Sequence, residues 1–119
     1  MKLLNERIHG YLDYVVVISF LLAPSLFGFS GLPAILSYLL AGVHLLLTLF
    51  TDFSTGLFKV LSLKIHGWIE LVVAPTLAGL PWLAGFSDLQ SARNFYIGAG
   101  VIVFLTWLVT DYEARSSLR

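Results

Sequence analysis

This sequence contains no cysteine, which excludes disulfides, iron–sulfur clusters, thiolate zinc sites and thiol catalysis. Charge is scarce as well. Only 12% of the 119 residues are charged, against roughly 25% in a soluble domain, and the formal net charge is zero. Without a basic excess there is no electrostatic basis for a nucleic-acid partner. No phosphate-binding glycine loop, nucleophile elbow or metalloprotease motif is present, so the chain reads as non-enzymatic. What remains is apolar: 58% of the residues are hydrophobic, against roughly 45–50% in a soluble domain. A chain this short has room for one domain, residues 1–119, and could not hide that much apolar surface inside a water-soluble body.

The apolar residues fall into four runs of membrane-spanning length, about 20 residues each. They extend from about Ile8 to Phe29, Pro33 to Thr51, Ile65 to Phe86 and Ala92 to Thr110. The breaks carry turn chemistry. Gly28-Phe29-Ser30-Gly31-Leu32-Pro33 is a tight connection with Pro33 suited to a first helical position, and Ser87 or Asp88 is placed to cap the fourth helix. The longer link from Asp52 to Lys64 contains Leu57-Phe58-Lys59-Val60-Leu61, a piece suited to the membrane interface. The first run begins like a secretory signal, but Asp13 interrupts it and the same pattern recurs in mid-chain, so it reads as a retained helix. Lys2, Arg7, Lys59, Lys64, Arg115 and Arg119 fall on one side of such a bundle and only Arg93 on the other. That bias predicts a multi-pass protein with both termini in the cytoplasm.

One pattern occurs twice. Arg7-Ile8-His9-Gly10-Tyr11-Leu12-Asp13 returns as Lys64-Ile65-His66-Gly67-Trp68-Ile69-Glu70, each chemical type in its place. Across residues 7–30 and 64–87, Ile8, His9, Gly10, Val15, Val16, Pro24, Leu26, Gly28, Phe29 and Ser30 are identical to their counterparts. The second helices align too, with Tyr38, Ala41, Gly42 and Val43 on Tyr96, Ala99, Gly100 and Val101. The chain therefore reads as two tandem two-helix units, residues 7–53 and 64–112. Each unit crosses an even number of times, so the copies are parallel, and the two His-Gly-aromatic starts lie at one depth on the cytoplasmic side. The expected fold is an all-α, four-helix transmembrane bundle.

The run Leu80-Pro81-Trp82-Leu83-Ala84-Gly85-Phe86-Ser87-Asp88, followed by Ala92, Asn94, Gly98 and Gly100, resembles the SPW-repeat integral membrane proteins. Their two-helix units carry a Ser-Pro-Trp signature in the first helix. Here Leu80 stands where that signature has serine, and the first copy, Ala23-Pro24-Ser25, keeps only the proline. The resemblance implies a bacterial inner-membrane location and no established activity.

Ionisable residues inside a span are functional suspects. His9 and Asp13 are four apart and share a helical face, as do His66 and Glu70. The second helix adds a seam of small and polar residues, Ala34, Ser37, Ala41, His44, Thr48 and Thr51, which should face inward. Its counterpart is Ala92, Phe95, Ala99, Ile102, Thr106 and Thr110, so His44 has no histidine partner. By rise per residue, Asp13 lies roughly 9 Å beyond Arg7 and His44 roughly 12 Å before Asp52. His9, Asp13, His44, His66 and Glu70 can thus converge, with Tyr14, Thr48 and Thr106 nearby.

Three imidazoles and two carboxylates suit Zn, Fe, Mn or Cu. Two histidines across an axis also suit haem, and His with acid suits a proton relay in a carrier or channel formed by a homo-oligomer. Against these stands a plainer reading, in which the His–acid bonds lock helix one to helix three. The leading expectation is a structural or accessory membrane module, alone in the lipid bilayer or within a larger complex. Trp68, Trp82, Trp107, Tyr11, Tyr96 and Tyr112 read mostly as interfacial anchors. Pro75 should bend the third helix, with Thr76 helping to satisfy the carbonyl it frees.

Overall fold

The computed structural model describes residues 3–112. Lys2, Arg115 and Arg119, which entered the charge argument above, lie outside them. Among the described residues the chain is all-helical: α1 (Glu6–Phe27), α2 (Leu32–Leu49), α3 (Leu63–Leu83) and α4 (Gln90–Val109). With 22, 18, 21 and 20 residues, they reach roughly 27–33 Å, which matches a bilayer core of about 30 Å. All four are long and apolar enough to cross a membrane.

The ends of these helices follow from local chemistry. Asn5 caps α1 by accepting from the Ile8 amide at 2.9 Å, and Ser62 caps α3 by accepting from the Ile65 amide at 3.1 Å. Gly28 ends α1 in the left-handed region at φ 69°, with its N–H on the Pro24 carbonyl. Pro33 falls in the first turn of α2. The cap expected from Ser87 or Asp88 is not made. Leu89 precedes α4 and supplies no side-chain bond, because the helix begins two residues earlier than the apolar run suggests. Inside α3, the Thr76 hydroxyl bonds the Val72 carbonyl at 2.8 Å. It therefore does not satisfy the Leu71 carbonyl that Pro75, lacking an N–H, leaves free.

α1 packs chiefly on α2 and α3 on α4, while α1 and α4 meet over a shorter length. Small residues permit the tight pairs. Ala34, Ser37, Ala41, Thr48 and Thr51 are all buried, as the inward seam of α2 required. The face expected for α4 is rotated: Ile102 is 58% exposed, and the buried stripe is Ala92, Tyr96, Gly100 and Val103. The cause is Gly100, where a Cβ would stand 2.6 Å from the Ala74 carbonyl oxygen. The α3 and α4 backbones meet there and fix the helix rotation. Tyr96 is not an interfacial anchor. It is fully buried, with its hydroxyl on the Pro33 carbonyl at 2.8 Å, because a buried phenol needs an acceptor.

The start of α1, the end of α4 and the 50–62 connection share one end of the bundle. Leu4 pairs with Thr110, its N–H on the Val109 carbonyl at 2.9 Å and its carbonyl accepting from Asp111 at 3.0 Å. Leu61 pairs with Thr51 in the same manner, through Phe50 at 2.8 Å and Asp52 at 2.7 Å. Glu6 reaches across to the Ser54 amide at 2.7 Å and to its hydroxyl. Within the connection, Leu57, Phe58 and Val60 remain exposed in an irregular segment.

Candidate functional site

Between these tied ends, α1 and α3 each bring one imidazole and one carboxylate to the centre of the bundle. His9, Asp13, His66 and Glu70 are all at least 97% buried. One potential ligand atom from each lies within 4.8 Å of every other. His9 Nε2 is 3.1 Å from Glu70 Oε1 and 3.3 Å from Asp13 Oδ1. His66 Nε2 is 2.9 Å from Glu70 Oε1 and 3.1 Å from Asp13 Oδ2. His44 joins from α2 at a longer distance, Nε2 to Asp13 Oδ1 being 3.5 Å. The sequence thus singled out the five residues that meet, with His44 at the edge.

The tautomer of both histidines can be deduced. His9 Nδ1 lies 2.8 Å from Thr110 Oγ1, and that hydroxyl is 2.5 Å from the Thr106 carbonyl. His66 Nδ1 lies 2.7 Å from Thr51 Oγ1, which is 2.6 Å from the Leu47 carbonyl. A carbonyl only accepts, so each threonine spends its one proton on the backbone. Each hydroxyl then accepts from the imidazole, and the proton sits on Nδ1. In a neutral ring, Nε2 is consequently a bare lone pair, aimed at carboxylate oxygens that are also acceptors. Two buried carboxylates facing two such lone pairs leave a net charge of −2 without a counterpart. A buried charge of that size requires compensation, either by two protons or by one divalent cation.

Around this centre the two halves differ at His44, which has no histidine counterpart on α4, at Asp13 against Glu70, and in one aromatic neighbour. Phe53 and Tyr112 occupy equivalent places, Phe53 against Gly10 and the His66 ring, Tyr112 against Gly67 and the His9 ring. Tyr112 donates its hydroxyl to Glu70 Oε2 at 2.7 Å. Phe53 has no hydroxyl to give. Asp13 Oδ2 makes no hydrogen bond among the described residues, and neither does His44 Nε2. Burial, followed by the charge of Glu70, raises the Tyr112 pKa and keeps its proton in place.

Sequence reasoning passed over Tyr112, which read as an interfacial anchor, and placed Thr48 and Thr106 rather than Thr51 and Thr110 beside the histidines. The signal was present, since Thr51-Asp52 and Thr110-Asp111 recur after the second and fourth helices. Tyr14 faces away, its hydroxyl on the Thr55 carbonyl at 2.6 Å. Towards the other end, the core is built of Val17, Phe20, Ala23, Ala74 and Leu77. The polar Ser37 there is bonded to the Phe20 carbonyl. Among the described residues, the buried Tyr96 hydroxyl of that end is likewise bonded to a backbone carbonyl, that of Pro33. Comparison of the chain with family models, with curated proteins and with solved structures finds no match in any of the three.

Proposed function

We propose that this chain is a membrane metal protein whose four-helix bundle holds one divalent first-row ion, Zn²⁺, Fe²⁺ or Mn²⁺, between His9, Asp13, His66 and Glu70. The single observation behind this reading is the direction of the two Nε2 lone pairs. Thr110 and Thr51 hold the Nδ1 protons, which is the outer-sphere arrangement that metal-binding imidazoles use. Two imidazoles and two carboxylates suit such ions, and a divalent charge balances the two carboxylates. Both Nε2 atoms approach the same oxygen, Glu70 Oε1, which favours a single ion over a porphyrin between the rings. We place the ion in a protein of SPW-repeat type in a bacterial inner membrane, formed by tandem duplication, with both chain ends and the 50–62 connection on the cytoplasmic side. The matched caps at Asn5 and Ser62 and the matched pairings at Leu4 and Leu61 support the duplication. The excess of Lys and Arg at that end supports the orientation.

A second reading, a non-enzymatic packing or accessory module, is favoured by the bonds that already join His9 and His66 to Glu70. With both rings protonated, those contacts lock α1 to α3 without an ion. Elemental analysis of the detergent-purified protein separates the two. The metal reading expects about one ion per chain, retained through dialysis and lost in His66→Ala and Glu70→Gln. A protein that stays metal-free after purification from Zn-, Fe- and Mn-supplemented cultures overturns it in favour of the lock.

A further inference from the structure

His44 is the one imidazole near the centre that the four-ligand set does not use. Its Nε2 is buried, has no hydrogen bond among the described residues, and lies 3.5 Å from Asp13 Oδ1. It stands outside the group of four whose donor atoms all fall within 4.8 Å of one another. Its side chain also keeps 13% of its surface open, where those of His9, Asp13, His66 and Glu70 keep 4% or less. One ring therefore spans from the edge of the bundle to a buried carboxylate.

The position of His44 on α2 says which edge this is. Ser37, two turns before it, bonds the Phe20 carbonyl of α1, and Thr51, two turns after it, meets His66 of α3. Residues seven apart share a helical face, so His44 looks between α1 and α3. The α2–α3 side is more loosely packed than the α1–α2, α3–α4 or α1–α4 sides. The other approaches are covered or apolar. Phe53 and Tyr112 are buried against the His66 and His9 rings at the tied end. Val17, Phe20, Ala74 and Leu77 fill the core beyond the centre. The cavity between α1 and α4 is walled mainly by apolar side chains.

Donor atoms bonded at about 2.1 Å to one first-row ion are roughly 3.0–3.5 Å apart. The His44–Asp13 separation is of that size, so these two side chains can hold an ion together. Asp13 belongs to both sets, its Oδ1 being 3.3 Å from His9 Nε2 and its Oδ2 3.1 Å from His66 Nε2. We infer that His44 is the entry ligand of the centre. A divalent ion arriving between α2 and α3 is taken first by His44 Nε2 and Asp13 Oδ1. It then moves to His9, His66 and Glu70 while Asp13 stays bound. This role rests on the metal reading and supplies the entry path that a buried site needs. The step is ligand exchange alone: the ion sheds water to His44 and Asp13, then leaves the His44 lone pair for those of the centre.

The test loads metal-free protein in phosphatidylcholine nanodiscs with Co²⁺, followed by its visible absorption in stopped flow, and then removes the ion with EDTA. A ligand touched only in transit changes loading and release by one factor and leaves their ratio, the affinity, alone. His44→Phe keeps a ring and removes the lone pair. Both rates should slow by about tenfold or more, with one ion per chain and an unchanged dissociation constant. His44→Leu gives the same result if His44→Phe does not fold. Gly98→Leu fills the α1–α4 cavity at a position where a Cβ meets nothing within 4 Å, and it should load at the wild-type rate. Unchanged rates in the His44 variants overturn the inference. So does weaker affinity with faster release, which makes His44 a resident ligand, and so does equal slowing in Gly98→Leu, which makes the cavity the route. Wild-type protein that takes up no Co²⁺ sinks the metal reading and the entry ligand together, whereas uptake at rates indifferent to His44 sinks the entry ligand alone.

Discussion

Thr110 Oγ1 accepts the Nδ1 proton of His9 at 2.8 Å because its own proton is committed to the Thr106 carbonyl. The orientation of a buried imidazole therefore depends on a hydroxyl 101 residues away in the chain. Thr110→Val keeps the shape and removes the acceptor. Ion affinity should fall roughly 10–100-fold, the usual cost of losing an outer-sphere partner, and Thr110→Ser should restore most of it. Competition with a chelator of known affinity measures both. Unchanged affinity in Thr110→Val would show that the hydroxyl does not orient the ring.

The four central groups should also behave as one unit energetically. Removing one member of a buried ionic pair typically costs about 3–5 kcal/mol, while replacing both with apolar groups costs far less. Glu70→Leu and His66→Leu alone are each expected to lower thermal stability sharply in metal-free protein. The double variant should be less destabilised than the sum of the two. Strict additivity in melting experiments would mean that the contacts at 2.9 Å and 3.1 Å around Glu70 carry little coupling.

Two glycines two residues apart in α4 should respond in opposite ways. Gly100→Ala forces a methyl group to within 2.6 Å of the Ala74 carbonyl oxygen and 2.8 Å of the Ala78 amide. Neither backbone atom can rotate aside, so a loss of about 1–3 kcal/mol is expected. At Gly98 nothing stands in the way, and alanine should stabilise the helix by up to about 1 kcal/mol. Melting temperatures of the two variants in one detergent decide the matter. Equal shifts would contradict the close approach of α3 and α4.

An alkaline limb in stability is expected from Tyr112. Burial and the Glu70 carboxylate hold its phenol above the ordinary value near 10. In the unfolded chain the phenol ionises from about pH 10, while in the folded protein it stays neutral. Above that pH the unfolded state binds fewer protons, so the contribution is whole below about pH 10 and declines as pH rises further. Tyr112→Phe should lower stability at neutral pH by the lost bond to Glu70 and flatten the decline. Parallel alkaline slopes for the two proteins would assign the limb to other groups.

Much of this arrangement was legible in the sequence because the pattern of base, Ile, His, Gly, aromatic, aliphatic and acid occurs at two places in it. The paired His and acid on α1 and α3, the small-residue seam of α2 and the four spans all rest on spacing alone, and their residues meet as that spacing requires. The rotation of α4 was not legible. It depends on the backbone contact at Gly100, whereas copying the α2 seam by alignment placed Ile102 inward. Tyr112 was hidden for a related reason. Its counterpart is Phe53, which lacks the hydroxyl that reaches Glu70, so the alignment of the two halves did not point to a polar role for it.

The pairing of Leu4 with Thr110, matched by that of Leu61 with Thr51, has a consequence for how the chain can be rewired. The polypeptide enters α1 beside the point where it leaves α4, much as it enters α3 beside the point where it leaves α2. A circular permutant that joins the two ends by a short linker and opens at Gly56 would begin with α3 and finish with α2. It keeps an even number of crossings in each half, the same sidedness, and both clasps that hold the histidines' hydroxyl partners in register. Such a permutant should assemble the same centre, and the site would then belong to the closed ring of four helices rather than to any order of reading them.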